Sequence, residues 1–187
     1  MTTTTVIVSA APNTACRQQS YRADFASRGS SVIPSKQSRA EQSRADTMTA
    51  SPDQDDIRAS FPPYTPVPLG QGVRRITAPN PGPLTGTGTN TYLLGDAQVA
   101  VVDPGVRDAR HLDAILAACD GRLGWILLTH THPDHSPGAR ELAAATGAHI
   151  YSHHEVLQGP PDADFEIHQL LDAGDQRDSA DFQLRVL

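Results

Sequence analysis

The chain has 187 residues, enough for one domain with a sizeable core. Its 38% hydrophobic content, 15 prolines and 14 glycines imply long loops or unordered stretches. A net charge of −6 gives no global argument for a nucleic-acid surface, and no apolar run approaches the ~20 residues of a membrane span.

Residues 1–60 are rich in Thr, Ser, Ala, Arg, Gln and Asp, with no sustained period of 2 or 3.6. Such a segment buries too little apolar surface to offset its ordering entropy, so a disordered N-terminal tail is expected. Three origins compete for it. Residues 1–47 are Ser- and Arg-rich with few acids, as in a transit peptide. "VIVSAAPNTAC", ending at Cys16, has a lipoprotein-like apolar stretch but no positive region before it. The preferred reading is that Met48 is the true start, because "MTASPDQDD" forms a short polar lead-in. The expected location is cytoplasmic, or organellar if residues 1–47 are a transit peptide, with no membrane partner. The two cysteines, Cys16 and Cys119, lie far apart in dissimilar regions and are read as free thiols.

From residue 61 the texture changes to that of a folded domain extending to residue 187. "FPPYTPVPLG" (61–70) is a Pro-rich extended lead-in. "VRRITA" (73–78) alternates as a strand, and "PNPGPLTGTGTN" (79–90) is a turn-rich loop. "TYLLG" (91–95) and "QVAVVD" (98–103) are strand-like runs around Gly95–Asp96, a hairpin signal. A helix is expected over 107–121, where Leu112, Ile115, Leu116 and Cys119 form an apolar stripe, Asp108 caps the start and Gly121 stops the end. "GWILLT" (124–129) has the length of a buried strand. A second helix is expected over 138–148, ended by Gly147, and strands over 149–152 and 182–187. Strands alternating with helices at this spacing specify α/β layers.

The chemistry is concentrated in "HTHPDH" (130–135), straight after the buried strand. Ligand sites in α/β sheets lie beyond the carboxyl ends of strands. Imidazole nitrogens and a carboxylate oxygen are donors suited to zinc and similar divalent metals. His130 and His132, two apart on extended chain, can face one way. Asp134 and His135 follow Pro133 and can aim at a second point. The candidate metal ligands are therefore His130, His132, Asp134 and His135, and Asp134 is also the candidate catalytic carboxylate.

This HxHxDH motif resembles the signature of the metallo-β-lactamase superfamily of hydrolases. "NPGPLTGTGTNTYLLG" (80–95) is similar to the opening strands of its β-lactamase-like protein 2 subgroup, and "VVDPG" (101–105) to a strand-end Asp-Gly motif. The resemblance implies a four-layer αββα sandwich with a dinuclear site. His130 and His132 would hold the first metal, Asp134 and His135 the second, with Asp103 supporting the loop. Two Zn²⁺ per complete domain are implied, iron or manganese being the alternatives. It also implies attack of metal-bound hydroxide on an ester, thioester, lactam or phosphodiester. Whether the substrate is a small molecule or RNA, and the oligomeric state, are left open.

The family also uses a Thr-Pro-Gly-His motif, a bridging aspartate and a further histidine. None of His149, His153, His154 and His168 sits in such a context. His153 and His154 are read as rim or surface residues, His111 as a surface residue of the first helix, and His149 and His168 as structural or exposed. The expectation is an incomplete sandwich, the N-terminal half of the domain, inactive alone. A non-catalytic fragment or pseudo-enzyme is the rival reading. An iron-containing oxidoreductase of the same fold is a second rival, disfavoured by His132.

Overall fold

Short apolar runs separated by Gly and Pro become the strands of two β-sheets in the computed structural model, which describes residues 6–10, 21–22, 59–153 and 166–186. Strands β1 (Val6–Ala10) and β2 (Tyr21–Arg22) come first in the chain. The next strands are β3 (Val67–Gly70), β4 (Val73–Thr77), β5 (Asn90–Leu94) and β6 (Val99–Val102). They are followed by β7 (Leu123–Leu128), β8 (His149–His153) and β9 (Gln169–Leu171). These seven, from β3 to β9, lie side by side in chain order as the larger sheet. The chain then adds β10 (Gln176–Asp178) and β11 (Phe182–Val186) to a smaller sheet of order β10-β11-β1-β2.

The larger sheet changes character midway. From β3 to β6 it is an antiparallel meander, and from β6 to β9 it is parallel. Parallel neighbours need crossovers. Helix α1 (Ala109–Cys119) links β6 to β7 and α2 (Ala139–Thr146) links β7 to β8. The side chain of Asp108 accepts the His111 N–H at the start of α1, while Asp120 and Gly147 end the two helices in the left-handed conformation. Both helices match the sequence expectation to within two residues at each end. β3, β9 and β10 were not expected. β3 holds a Pro and a Gly, β9 and β10 are three residues long and partly polar, and each exists because a neighbouring strand offers a ladder.

One face of the larger sheet is closed by the helices. Ile76, Leu93, Val101, Ile126, Leu128 and Ile150 pack there against Ile115 and Leu142, all at most 4% exposed. The other face meets the smaller sheet. Leu94, Ala100, Leu127 and Leu171 oppose Phe182, Leu184 and Val186, and Trp125 sits edge-on between Tyr151 and Phe182, at ring distances of 6.2 and 5.5 Å. Burying each such aliphatic side chain contributes about 1.5–3 kcal/mol. β7 is covered on both faces, which is why "GWILL" is apolar without alternation. Helix, sheet and sheet are three of the four expected layers of the αββα sandwich, seen among the described residues.

Two expectations are corrected. The tail is not without structure throughout: β1 pairs antiparallel with β11, from Val6↔Val186 to Ala10↔Phe182, and β2 pairs with β1. A strand held by a ladder to a partner so distant in sequence leaves no local period to detect. The other residues up to 58 lie outside the described ones, as do Cys16 and His154. His111 is not a surface residue but fully buried. Its ring sits beneath Gly105, where a Cβ would stand 3.1 Å from Nε2, and Thr91 Oγ1 lies 3.1 Å from that nitrogen. The turn after β6 covers the first turn of α1, so the apolar stripe is extended there by a histidine with a polar partner.

Candidate metal centre

The site is built at the carboxyl ends of β6 and β7. β6 ends in Asp103-Pro104-Gly105, and Asp103 adopts a left-handed φ of +50°. Only a few per cent of non-glycine residues do so, Asp and Asn more readily than most. Three neighbours hold it there. Its N–H donates to Leu127 O at 2.9 Å, the Thr91 hydroxyl donates to its carbonyl at 2.7 Å, and Gly105 N–H donates to His135 O at 2.9 Å. The turn aims a carboxylate that is almost wholly buried at the end of β7.

That carboxylate organises the loop. Oδ1 accepts the Thr129 N–H at 2.8 Å, and Oδ2 accepts the Thr129 hydroxyl at 2.6 Å. His135 Nδ1 lies 3.0 Å from the same Oδ2. The hydroxyl has one proton, which the carboxylate takes. Thr129 Oγ1, 2.9 Å from His130 Nδ1, therefore accepts from that ring. In their neutral forms both His130 and His135 therefore carry their proton on Nδ1 and leave Nε2 as a lone pair. This is how metal-ligating histidines are held.

The four motif residues form a chain of contacts rather than one point. His132, exposed, stands edge-on to His130 at a ring distance of 4.6 Å, and His130 lies 4.0 Å from His135. His135 Nε2 faces Asp134 Oδ2 at 3.2 Å. That spacing is favourable with positive charge between the two atoms, supplied by a proton on the imidazole or by a metal ion. The protonation equilibria agree. Burial pulls the His135 pKa down, but the hydrogen bond and charge of Asp103 and the charge of Asp134 outweigh it, and the net shift is upward. His130 shifts downward through burial and the neighbouring His135. The donor set therefore fits a divalent cation.

Among the described residues, Asp103, His130 and His135 place one ligand-type atom each within 4.8 Å of one another. Both Asp103 oxygens are already engaged, so its role is to hold His135 and Thr129, leaving the imidazoles and Asp134 as donors. His149 and His168 are elsewhere, exposed and stacked on each other at 4.8 Å. Sequence reasoning missed Thr129, Thr91, Thr89 and Asn80, all of which hold parts of the site. Threonine at a strand end carries no signal of its own. Only the neighbouring HxHxDH motif marks Thr129 for attention.

An α/β sandwich with a histidine–aspartate cluster at the end of its parallel strands defines a class of metal-centred fold. The profile of the metallo-beta-lactamase superfamily matches residues 84–184, and the chain belongs to that family of hydrolases. A beta-lactamase-like protein 2 homolog of Caenorhabditis elegans is 41% identical over 75 residues, covering 37% of this chain and 25% of that protein. A hydroxyacylglutathione hydrolase of Anaeromyxobacter dehalogenans is 45% identical over 78 residues, covering 40% of this chain and 29% of that protein. A metallo-beta-lactamase structure from Cronobacter sakazakii superposes with a TM-score of 0.51 at 17% identity, over 62% of this chain and 50% of that one. That likeness shows the fold. The chain thus spans between a quarter and a third of the length of these curated relatives.

Proposed function

We propose that this chain carries the metal-binding loop of a metal-dependent hydrolase, with His130 and His132 serving one zinc ion and Asp134 and His135 a second. The observation that carries the reading is His135 Nε2 facing Asp134 Oδ2 at 3.2 Å, with Nδ1 3.0 Å from an Asp103 oxygen. When bound, such a metal supplies Lewis acidity and lowers the pKa of a water toward neutrality. The chain's own contribution is placement. Asp103 fixes the tautomer of His135, Thr129 that of His130, and Asp134 presents a carboxylate oxygen beside them. The substrate is an ester, thioester, lactam or phosphodiester, and the name of the Anaeromyxobacter relative favours an acyl bond within that range.

A second reading has its own support. Among the described side chains, no histidine from outside the HxHxDH motif joins the cluster, so two zinc ions would share its donors, whereas a catalytic zinc ordinarily has about three protein ligands. On this reading the chain by itself binds metal weakly and does not turn over.

The test is elemental analysis and hydrolysis with the His132→Ala variant. One metal and most hydrolysis should be lost, because a site short of one ligand loses geometry and affinity together. Unchanged metal content overturns the ligand assignment. Metal bound by the unsubstituted chain without turnover of any ester or lactam selects the second reading.

A further inference from the structure

We propose that Asn80 and Thr89 are positioning residues for the Asp134 carboxylate, so that the glycine-rich loop between β4 and β5 governs the second metal position. The inference rests on the reading of Asp134 as a ligand. It goes beyond that reading in assigning a role to a loop outside the histidine motif.

The bond directions are determined. Asn80 grips Thr89 twice: its Oδ1 accepts the Thr89 N–H at 2.9 Å, and its Nδ2 donates to Thr89 Oγ1 at 3.1 Å. An Asn amide nitrogen only donates. The Thr89 hydroxyl oxygen is therefore the acceptor there, and its single proton is free for Asp134 Oδ2, 3.1 Å away. Thr89 is 6% exposed, so this hydroxyl has little access to competing water. The oxygen it reaches is the same one that faces His135 Nε2.

The loop is built to hold this grip. Ala78 N–H donates to Thr89 O at 2.8 Å, and the Thr85 hydroxyl donates to Asn80 O at 2.5 Å. Gly82 and Gly86 exchange two backbone bonds of 3.1 and 2.8 Å. Gly88 has a φ of +132°, and a Cβ there would stand 2.1 Å from Ala78 O, so only glycine fits. Asp134 itself lies in an irregular loop after Pro133. Without Thr89 its carboxylate would sample several rotamers, and ordering it would reduce metal affinity.

The probe is Co²⁺ titrated into the 187-residue chain, followed by visible absorption and calorimetry, with metal-free thermal unfolding as a folding control. Thr89→Val should weaken the second Co²⁺ equivalent by roughly 10- to 100-fold, the usual effect of removing a residue behind a ligand, and leave the first within a few-fold. Thr89→Ser should restore it, since it returns the hydroxyl. If Thr89→Val does not fold, Asn80→Asp carries the test. It keeps the acceptor for the Thr89 N–H, withdraws the donor and draws the hydroxyl toward position 80, and should weaken the same equivalent. A second equivalent as tight as in the unsubstituted chain in a folded Thr89→Val, or one as weak in Thr89→Ser as in Thr89→Val, overturns the proposal. Asp134→Asn separates the two levels. If it keeps both equivalents, the ligand reading itself fails. If it loses the second while Thr89→Val does not, only the positioning role fails. Absence of Co²⁺ binding by the unsubstituted chain overturns both.

Discussion

Two groups of histidines flank the same parallel strands and have opposite characters. His130, His132 and His135 follow the carboxyl end of β7, and the rings of His130 and His135 each have a partner on Nδ1. His149 opens β8 and His168 immediately precedes β9, at the opposite end of the strands. They stack nearly parallel, at an interplanar angle of 12°, and the Ile150 N–H donates to His168 Nδ1 at 3.0 Å. Among the described residues, no carboxylate bonds to either ring. Stacked rings send their nitrogens in parallel rather than toward a common point. The contrast teaches that a histidine cluster becomes suited to a metal through the end of the sheet it occupies and the groups behind it.

The largest way to break this contrast is Asp103→Ala. It removes the acceptor of both Thr129 bonds and the partner of His135, and leaves a left-handed residue without its carboxylate. A loss of about 3 kcal/mol in urea unfolding is expected, together with loss of Co²⁺ binding at both positions. Retained binding would mean that the two histidine groups do not differ in the way described.

Next in size is His111→Ala. The ring fills the space under Gly105 and Thr91, and its removal leaves a cavity beneath the turn that presents Asp103. A cost of about 2–3 kcal/mol is expected, read as a lowered melting temperature of the metal-free chain.

The protonation equilibria sharpen the comparison for the metal-free chain. His135 has a raised pKa, so its contribution to stability is complete below the unfolded value of ~6.5 and is lost as pH rises through the folded one. His130 has a lowered pKa, so stability falls as pH drops below that same unfolded value. Denaturant midpoints should therefore peak near the ordinary histidine pKa. His135→Gln should remove the alkaline decline, and added metal, taking the place of the proton, should remove it as well. A decline that survives His135→Gln assigns it to another group.

The smallest effect is expected at the other end of the strands. His149→Ala and His168→Ala should leave metal stoichiometry unchanged and alter stability by about 0.5 kcal/mol or less, as exposed substitutions do. Loss of a metal in either would erase the distinction between the two groups.

Much of the site was legible because its information is local. "HTHPDH" after an apolar run places donors and strand end within a few residues. "VVDPG" offers a carboxylate at the next strand end, and the helices announce themselves through Asp108, Gly147 and a stripe from Leu112 to Cys119. What escaped is what depends on distant partners. β1 is a strand through its ladder to β11, β9 through its parallel pairing with β8, and His111 is buried because a turn from another strand lies over it.

The sequence by itself determined which residues are candidate donors, the alternation of strands and helices and the strand end where those residues collect, because periodicity, caps and motifs act within a few residues. Only the tertiary structure decided which hydroxyl lies behind which histidine and carboxylate. Thr129 binds Asp103 across 26 residues and Thr89 binds Asp134 across 45. Contacts between segments so distant in sequence arise when β4, β5, β6 and β7 are laid side by side, and that ordering is set by the packing of the whole sheet between its helices and the smaller sheet.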